Sequence, residues 1–180
     1  MVKILILICC LFCVQDNAPV LSWSASKTLS WEDFKAKPNL NDAAVAITAS
    51  GITFKFSITK TDKNEVLSFT TNVHAHFYPD QSWYKIEQAD SHILGHEQLH
   101  FDITELFARK FRYRISQLKL SNNIKSQLKK IHNDINTELS QVQNKYDSET
   151  DYSRNFESQT NWGNFISKEL EKFSKYQSLD

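Results

Sequence analysis

Glycine is scarce in this chain. Gly51, Gly95 and Gly163 are all it has, too far apart to build a dinucleotide fingerprint, a phosphate loop or a G-x-S-x-G nucleophile elbow. A surplus of one charge is also missing, because 21 basic residues balance 21 acidic ones. Neutrality leaves no general attraction for nucleic acid or for an anionic membrane surface. Cysteine is confined to Cys9, Cys10 and Cys13. What remains is a chain of 180 residues, 41% apolar and 12% aromatic. That suffices for a targeting segment plus one domain burying roughly two thirds of its unfolded surface.

Lys3 precedes an unbroken apolar run from Ile4 to Val14, closed by Gln15 and Asp16. A short positive region followed by such a run reads as an export signal. It is too short for a membrane span, which needs about 20 residues. The expectation is a signal peptide over 1–14 and a single domain over 15–180, secreted or periplasmic, with no membrane span in the mature chain. A lipid anchor on a cysteine is the weaker reading, since neither Ile8 nor Phe12 is the small residue expected before one. Removal of the segment takes every cysteine with it, and with them disulfides, thiolate metal sites and cysteine nucleophiles. A metal site must then use His, Asp, Glu or Tyr.

Hydrophobic periodicity divides the remainder. Val45, Ile47 and Ala49 alternate, as do Ile52, Phe54, Phe56 and Ile58, and again Leu67, Phe69, Thr71, Val73, Ala75 and Phe77; this is the period of half-buried strands. Thr61-Asp62-Lys63-Asn64 supplies a turn. The second half steps by three and four. Asp90 or Ser91 can cap a helix to about Leu118, with Ile103, Phe107, Phe111 and Leu118 along one stripe. Ile124, Leu128, Ile131, Ile135, Leu139, Val142 and Tyr146 predict a second helix, broken by the polar stretch 147–155. Trp162, Ile166, Leu170 and Phe173 predict a third. Strands first and helices afterwards define an α+β fold, a small antiparallel sheet followed by three helices.

His96-Glu97-Gln98-Leu99-His100 is H-E-x-x-H on the first of these helices. Random order of this composition would give the pattern in about one such chain in a hundred. At about 100° per residue the two histidines project about 40° apart on one face. So placed they can bind one metal ion, with Glu97 beside it to hold an activated water and act as general base. Catalytic zinc takes three protein ligands and keeps one open position. Asp102 and Glu105 project about 160° and 140° from His100 and are expected to pair at the surface. Asp147, Glu149, Asp151 and Tyr152 lie together in the polar stretch and are the candidates for the third ligand. His74 and His76 share the polar face of a strand and are read first as solvent-facing; the alternative is that they address the site together from a strand lying along the cleft, where an edge strand could hold an extended substrate. His92 is read as a residue of the helix start, and His132 as packed or exposed. The run Arg109-Lys110-Phe111-Arg112-Tyr113-Arg114 is read as a solvated face.

The stretch His96 to Ile103, with Glu105, Ala108 and Arg109, resembles the bacterial family of predicted secreted zinc-dependent proteases, domain-of-unknown-function family 922. Trp31-Glu32-Asp33-Phe34 is similar to its early W-x-D-F, Ser82-Trp83 to its S-W, and Tyr146-Asp147-Ser148-Glu149-Thr150 to its later Y-D-x-E-T. The resemblance implies a zincin-like metallopeptidase acting on a protein or peptide, with one zinc ion per chain, His96 and His100 as ligands and Glu97 as base. The family carries a histidine soon after Y-D-x-E-T, and this chain has Tyr152 at that place. Tyr152 is therefore expected as third metal ligand or as a transition-state donor. A phenol with an ordinary pKa near 10 ligates more weakly than imidazole at neutral pH. The departure keeps two alternatives in view: an impaired peptidase-fold binding protein of the cell envelope, and an amidase acting on cell-wall peptides.

Overall fold

Alternating apolar residues place two long strands side by side in the computed structural model, which describes residues 19–178. The expected export segment lies outside the described residues. Strand β3 (Ser50–Lys60) and strand β4 (Val66–Phe77) form an antiparallel hairpin, in register from Ser50 opposite Phe77 to Ile58 opposite Phe69. Its turn is closed by Asn64 N donating to Thr61 O at 2.9 Å, with Asn64 at a φ of 67°, a conformation asparagine tolerates better than most residues. A short strand β1 (Leu21–Ser22) pairs with the far end of β4, giving the order β1-β4-β3. A second, two-stranded sheet joins β2 (Ala46–Ile47) to β5 (Trp83–Tyr84). The expected single sheet is thus two small antiparallel ones.

Three helices follow: α1 (Ser91–Ser116), α2 (Ile124–Glu149) and α3 (Phe156–Lys172). The fold is α+β. Asp90 caps α1 by accepting from Ile93 N at 2.8 Å, satisfying one of the donors a helix start leaves open. Val73, Ala75 and Phe77 of β4 face α1 and are buried with Ile103, Phe107 and Phe111. On the other flank α2 contributes Ile124, Leu128, Ile135, Leu139 and Tyr146, and α3 contributes Ile166.

Helix α1 is therefore the centre of the molecule, and this corrects its sequence reading as a helix with one apolar stripe. Every residue from Ile103 to Arg109 is buried. Glu105 and Arg109, expected at the surface, are 1% and 3% exposed and bonded to each other at 2.8 Å. Arg112 reaches the same carboxylate at 3.3 Å and also donates to Val73 O. Arg109 additionally donates to Leu170 O and Arg112 to Tyr176 O. A buried carboxylate is tolerable when charged partners and hydrogen bonds surround it, and this one ties the C-terminal segment to α1 and β4. Asp102 is half-buried, accepting from Trp23 Nε1 at 2.7 Å and Gln98 Nε2 at 2.8 Å. Arg114 alone of the three arginines keeps to the half-exposed surface, forking Glu138 of α2. His132 packs against Phe54 and Phe111.

Helix α2 runs three residues past the expected break at Tyr146. Thr150 explains the extension: fully buried at the helix end, its hydroxyl donates to Tyr146 O at 2.7 Å. Asp147 consequently stands in a helical turn and not in a loop.

Candidate metal centre

The face of α1 that carries His96 and His100 meets the face of α2 that carries Gln143, Tyr146 and Asp147. The spacings are i, i+4 on one helix and i, i+3, i+4 on the other, so each set lies on one side of its helix. His96 and His100 turn their Nε2 atoms toward each other, 3.2 Å apart. Asp147 Oδ1 lies 2.8 Å from His100 Nε2 and 3.2 Å from His96 Nε2. Among the described residues, these three form the cluster of His, Asp or Glu ligand atoms able to hold one ion.

The triangle can be tested against zinc. Bonds of about 2.0–2.1 Å in tetrahedral geometry set neighbouring ligand atoms about 3.3–3.4 Å apart. Two edges here are 3.2 Å. The 2.8 Å edge between His100 and Asp147 needs to open by about half an ångström to match. Two imidazoles and a carboxylate are also an ordinary donor set for a catalytic zinc. The residues fit.

Tyr146 is the platform beneath them. Fully buried, it stacks on His96 with centroids 4.5 Å apart at 20°, meets His100 edge-on at 4.9 Å, and donates to His96 O at 3.4 Å. Trp162 of α3 backs it at 5.4 Å. Burial, reinforced by the charges of Glu97, Asp147 and Asp102, pushes its phenol far above the ordinary range, so Tyr146 stays neutral. Burial would also raise the Asp147 carboxyl, but hydrogen bonds from His100 and then His96 outweigh it and hold the group well below the usual carboxylate range. At His100 burial favours the neutral ring; the hydrogen bond to Asp147 and the charges of Glu97 and Asp147 overcome it and raise the pKa. The pocket is thus arranged to hold positive charge against a carboxylate.

Glu97 is buried beside His96, and Thr48, between β2 and β3, donates to its backbone oxygen at 3.2 Å. Its carboxylate is near enough for its charge to act on both His100 and Tyr146.

Tyr152 is not brought to this cluster. Asp151, Tyr152 and Ser153 take φ values of 49°, 52° and 75° in succession, a left-handed turn that swings the tyrosine outward. The residue is 64% exposed and its ring lies against Arg154. Asp151 pairs with Arg154 in the same turn, and Glu149 accepts from Trp162 Nε1 at 2.9 Å. Of the four candidates in the polar stretch, only Asp147 faces the histidines. His74 and His76 stack on each other on the side of β4 opposite its core residues, so the strand face they share turns away from α1. His92 Nε2 meets Ser153 O at 2.6 Å and its ring stacks on Phe156, tying the left-handed turn to the start of α1. Gln143 carried no signal in the sequence by itself; its place three residues before Tyr146 and four before Asp147 was the available one.

The early segments that carry the resemblance have physical roles in the fold. Trp31 stacks on Tyr84 at 4.5 Å, and Phe34 packs edge-on to Phe77 at 5.1 Å. Ser82, fully buried, accepts from Ala49 N and donates to Tyr78 O, both at 2.9 Å. These residues frame the small sheets and do not touch the cluster.

An α+β chain with a paired-histidine helix and one carboxylate facing it is the class defined so far. The family model described as "Bacterial protein of unknown function (DUF922)" matches residues 27–154, and the chain belongs to that family. No curated protein and no solved structure matches it. No helix among the described residues is long and apolar enough to cross a membrane.

Proposed function

We propose that this chain is a zincin-like metallopeptidase, exported from a bacterial cell to the periplasm or beyond, that hydrolyses peptide bonds. The observation that carries the reading is the convergence of His96 Nε2, His100 Nε2 and Asp147 Oδ1 to within 3.2 Å of one another, with Glu97 buried alongside. Asp147 takes the third ligand place that the sequence had suggested for Tyr152. Lys3 and the apolar run Ile4–Val14 support export.

Zinc bound there supplies a polarised substrate carbonyl and a water whose pKa falls to about 7. The chain's own residues do the rest. His96 and His100 would offer their Nε2 atoms from one rigid helix face. Asp147 adds a negative charge that offsets part of the ion's. Glu97 takes a proton from the attacking water as its oxygen bonds to the carbonyl carbon. It returns that proton to the amine nitrogen as the C–N bond breaks, so the base is regenerated. The test is hydrolysis of a peptide library that stops with a chelator and resumes with zinc, with casein and purified cell-wall peptides compared as substrates.

One observation favours a second reading. Tyr152 stands where the resemblance implies a histidine, and it faces solvent. A chain that binds metal but cleaves nothing in that library would be an envelope binding protein on a peptidase frame.

A further inference from the structure

We propose that Gln143 is a positioning residue that fixes the His100 ring, holding its Nδ1 proton so that Nε2 alone is offered to the cluster. The inference rests on the metal reading above and deepens it. Gln143 Oε1 is hydrogen-bonded to His100 Nδ1. The other arm of the amide fixes which atom is which. Gln143 Nε2 donates to His100 O at 2.9 Å and to Thr104 Oγ1 at 3.3 Å; exchanging the two ends would set oxygen against oxygen. An amide oxygen only accepts, so Nδ1 must donate.

The acceptors are themselves held. Thr104, one turn on from His100, gives its hydroxyl proton to His100 O at 3.1 Å. Ser50 of β3 lies 2.7 Å from the same hydroxyl, and with the threonine proton already used, Ser50 is the donor. The sheet, α1 and α2 are joined in one chain of hydrogen bonds that ends on the ring. A neutral imidazole free in water distributes its proton over both nitrogens, whereas a ring that ligates through Nε2 must keep it on Nδ1. His96 has no such tether: its buried Nδ1 finds no partner among the described residues, and the Tyr146 ring orients it instead. The fixation is specific to His100.

The test uses the full chain, wild type, Gln143→Leu and Gln143→Glu. Zinc affinity is measured by competition with a chromophoric chelator, and the His100 Nδ1 proton is followed by nuclear magnetic resonance in the metal-free protein. Gln143→Leu should weaken zinc binding about 10–100-fold and lose the slowly exchanging Nδ1 proton. Gln143→Glu keeps an acceptor for Nδ1 while setting its second oxygen against His100 O, and should retain the Nδ1 proton and lose clearly less zinc affinity than Gln143→Leu. Leucine and glutamate variants equally weakened would mark a packing role and overturn the proposal, as would a leucine variant that binds like wild type. Absence of zinc binding in the wild type would remove the metal reading alone; the Nδ1 proton would still decide, its loss in Gln143→Leu upholding the tether and its persistence overturning it.

Discussion

Asp147 Oδ1 lies 2.8 Å from His100 Nε2 across the contact between α1 and α2. That carboxylate comes from the last turn of a helix, a more rigid support than the loop that follows it. A ligand set built on two packed helices needs little reorganisation to accept an ion. Asp147→Asn preserves shape and removes charge, and should weaken zinc binding by more than about a hundredfold, beyond what loss of a supporting hydrogen bond costs. Tyr152→Phe should leave the affinity unchanged. Chelator competition reads both.

Glu97→Gln should leave one zinc per chain and lower the hydrolysis rate about 10²–10⁴-fold. Metal content and peptide turnover on the same preparation check it. Loss of metal with this change would place Glu97 among the ligands and not at the proton.

The buried pair of Glu105 and Arg109 makes a stability prediction independent of any ion. Glu105→Leu leaves two guanidinium groups without their carboxylate and should cost about 3–5 kcal/mol. Adding Arg109→Met to it should recover part of that loss, because an uncompensated buried charge is removed. Urea unfolding of the three proteins gives the numbers.

Glu138, held by the Arg114 hydrogen bond, has its carboxyl below the ordinary value of 4.5. A lowered folded pKa stabilises above the unfolded pKa and ceases to do so as the pH falls through the folded one. The pair is half-exposed, so screening limits it to about 0.5–1 kcal/mol. Glu138→Gln should therefore lower stability by that amount at pH 7, and the difference from wild type should vanish in acid below the folded pKa. Urea midpoints at the two pH values show whether it does.

Much of the architecture is written in periodicity. Alternation at Ile52–Ile58 and Leu67–Phe77 marks the hairpin, and the four-and-three spacing of Ile124 to Tyr146 marks α2. The spacing of His96 and His100 dictates a shared face because both ride one helix. What crosses between helices is less legible. Three further residues of α2 put Asp147 on a face with Gln143 and Tyr146, and that extension depends on Thr150 being buried, a tertiary fact. The left-handed turn at Asp151–Ser153 turns Tyr152 outward for a reason no residue type there announces, since none is glycine. Glu105 and Arg109 looked like surface charges because their burial depends on α3 and the C-terminal segment closing over them.

The most direct measurement is the metal content of the purified full chain by mass spectrometry, after dialysis without chelator, beside Asp147→Ala and Tyr152→Phe. The wild type should carry about one zinc per chain, Tyr152→Phe the same, and Asp147→Ala little or none. A wild-type chain that stays empty when zinc is offered at neutral pH would contradict the metal reading, as would an Asp147→Ala chain that fills.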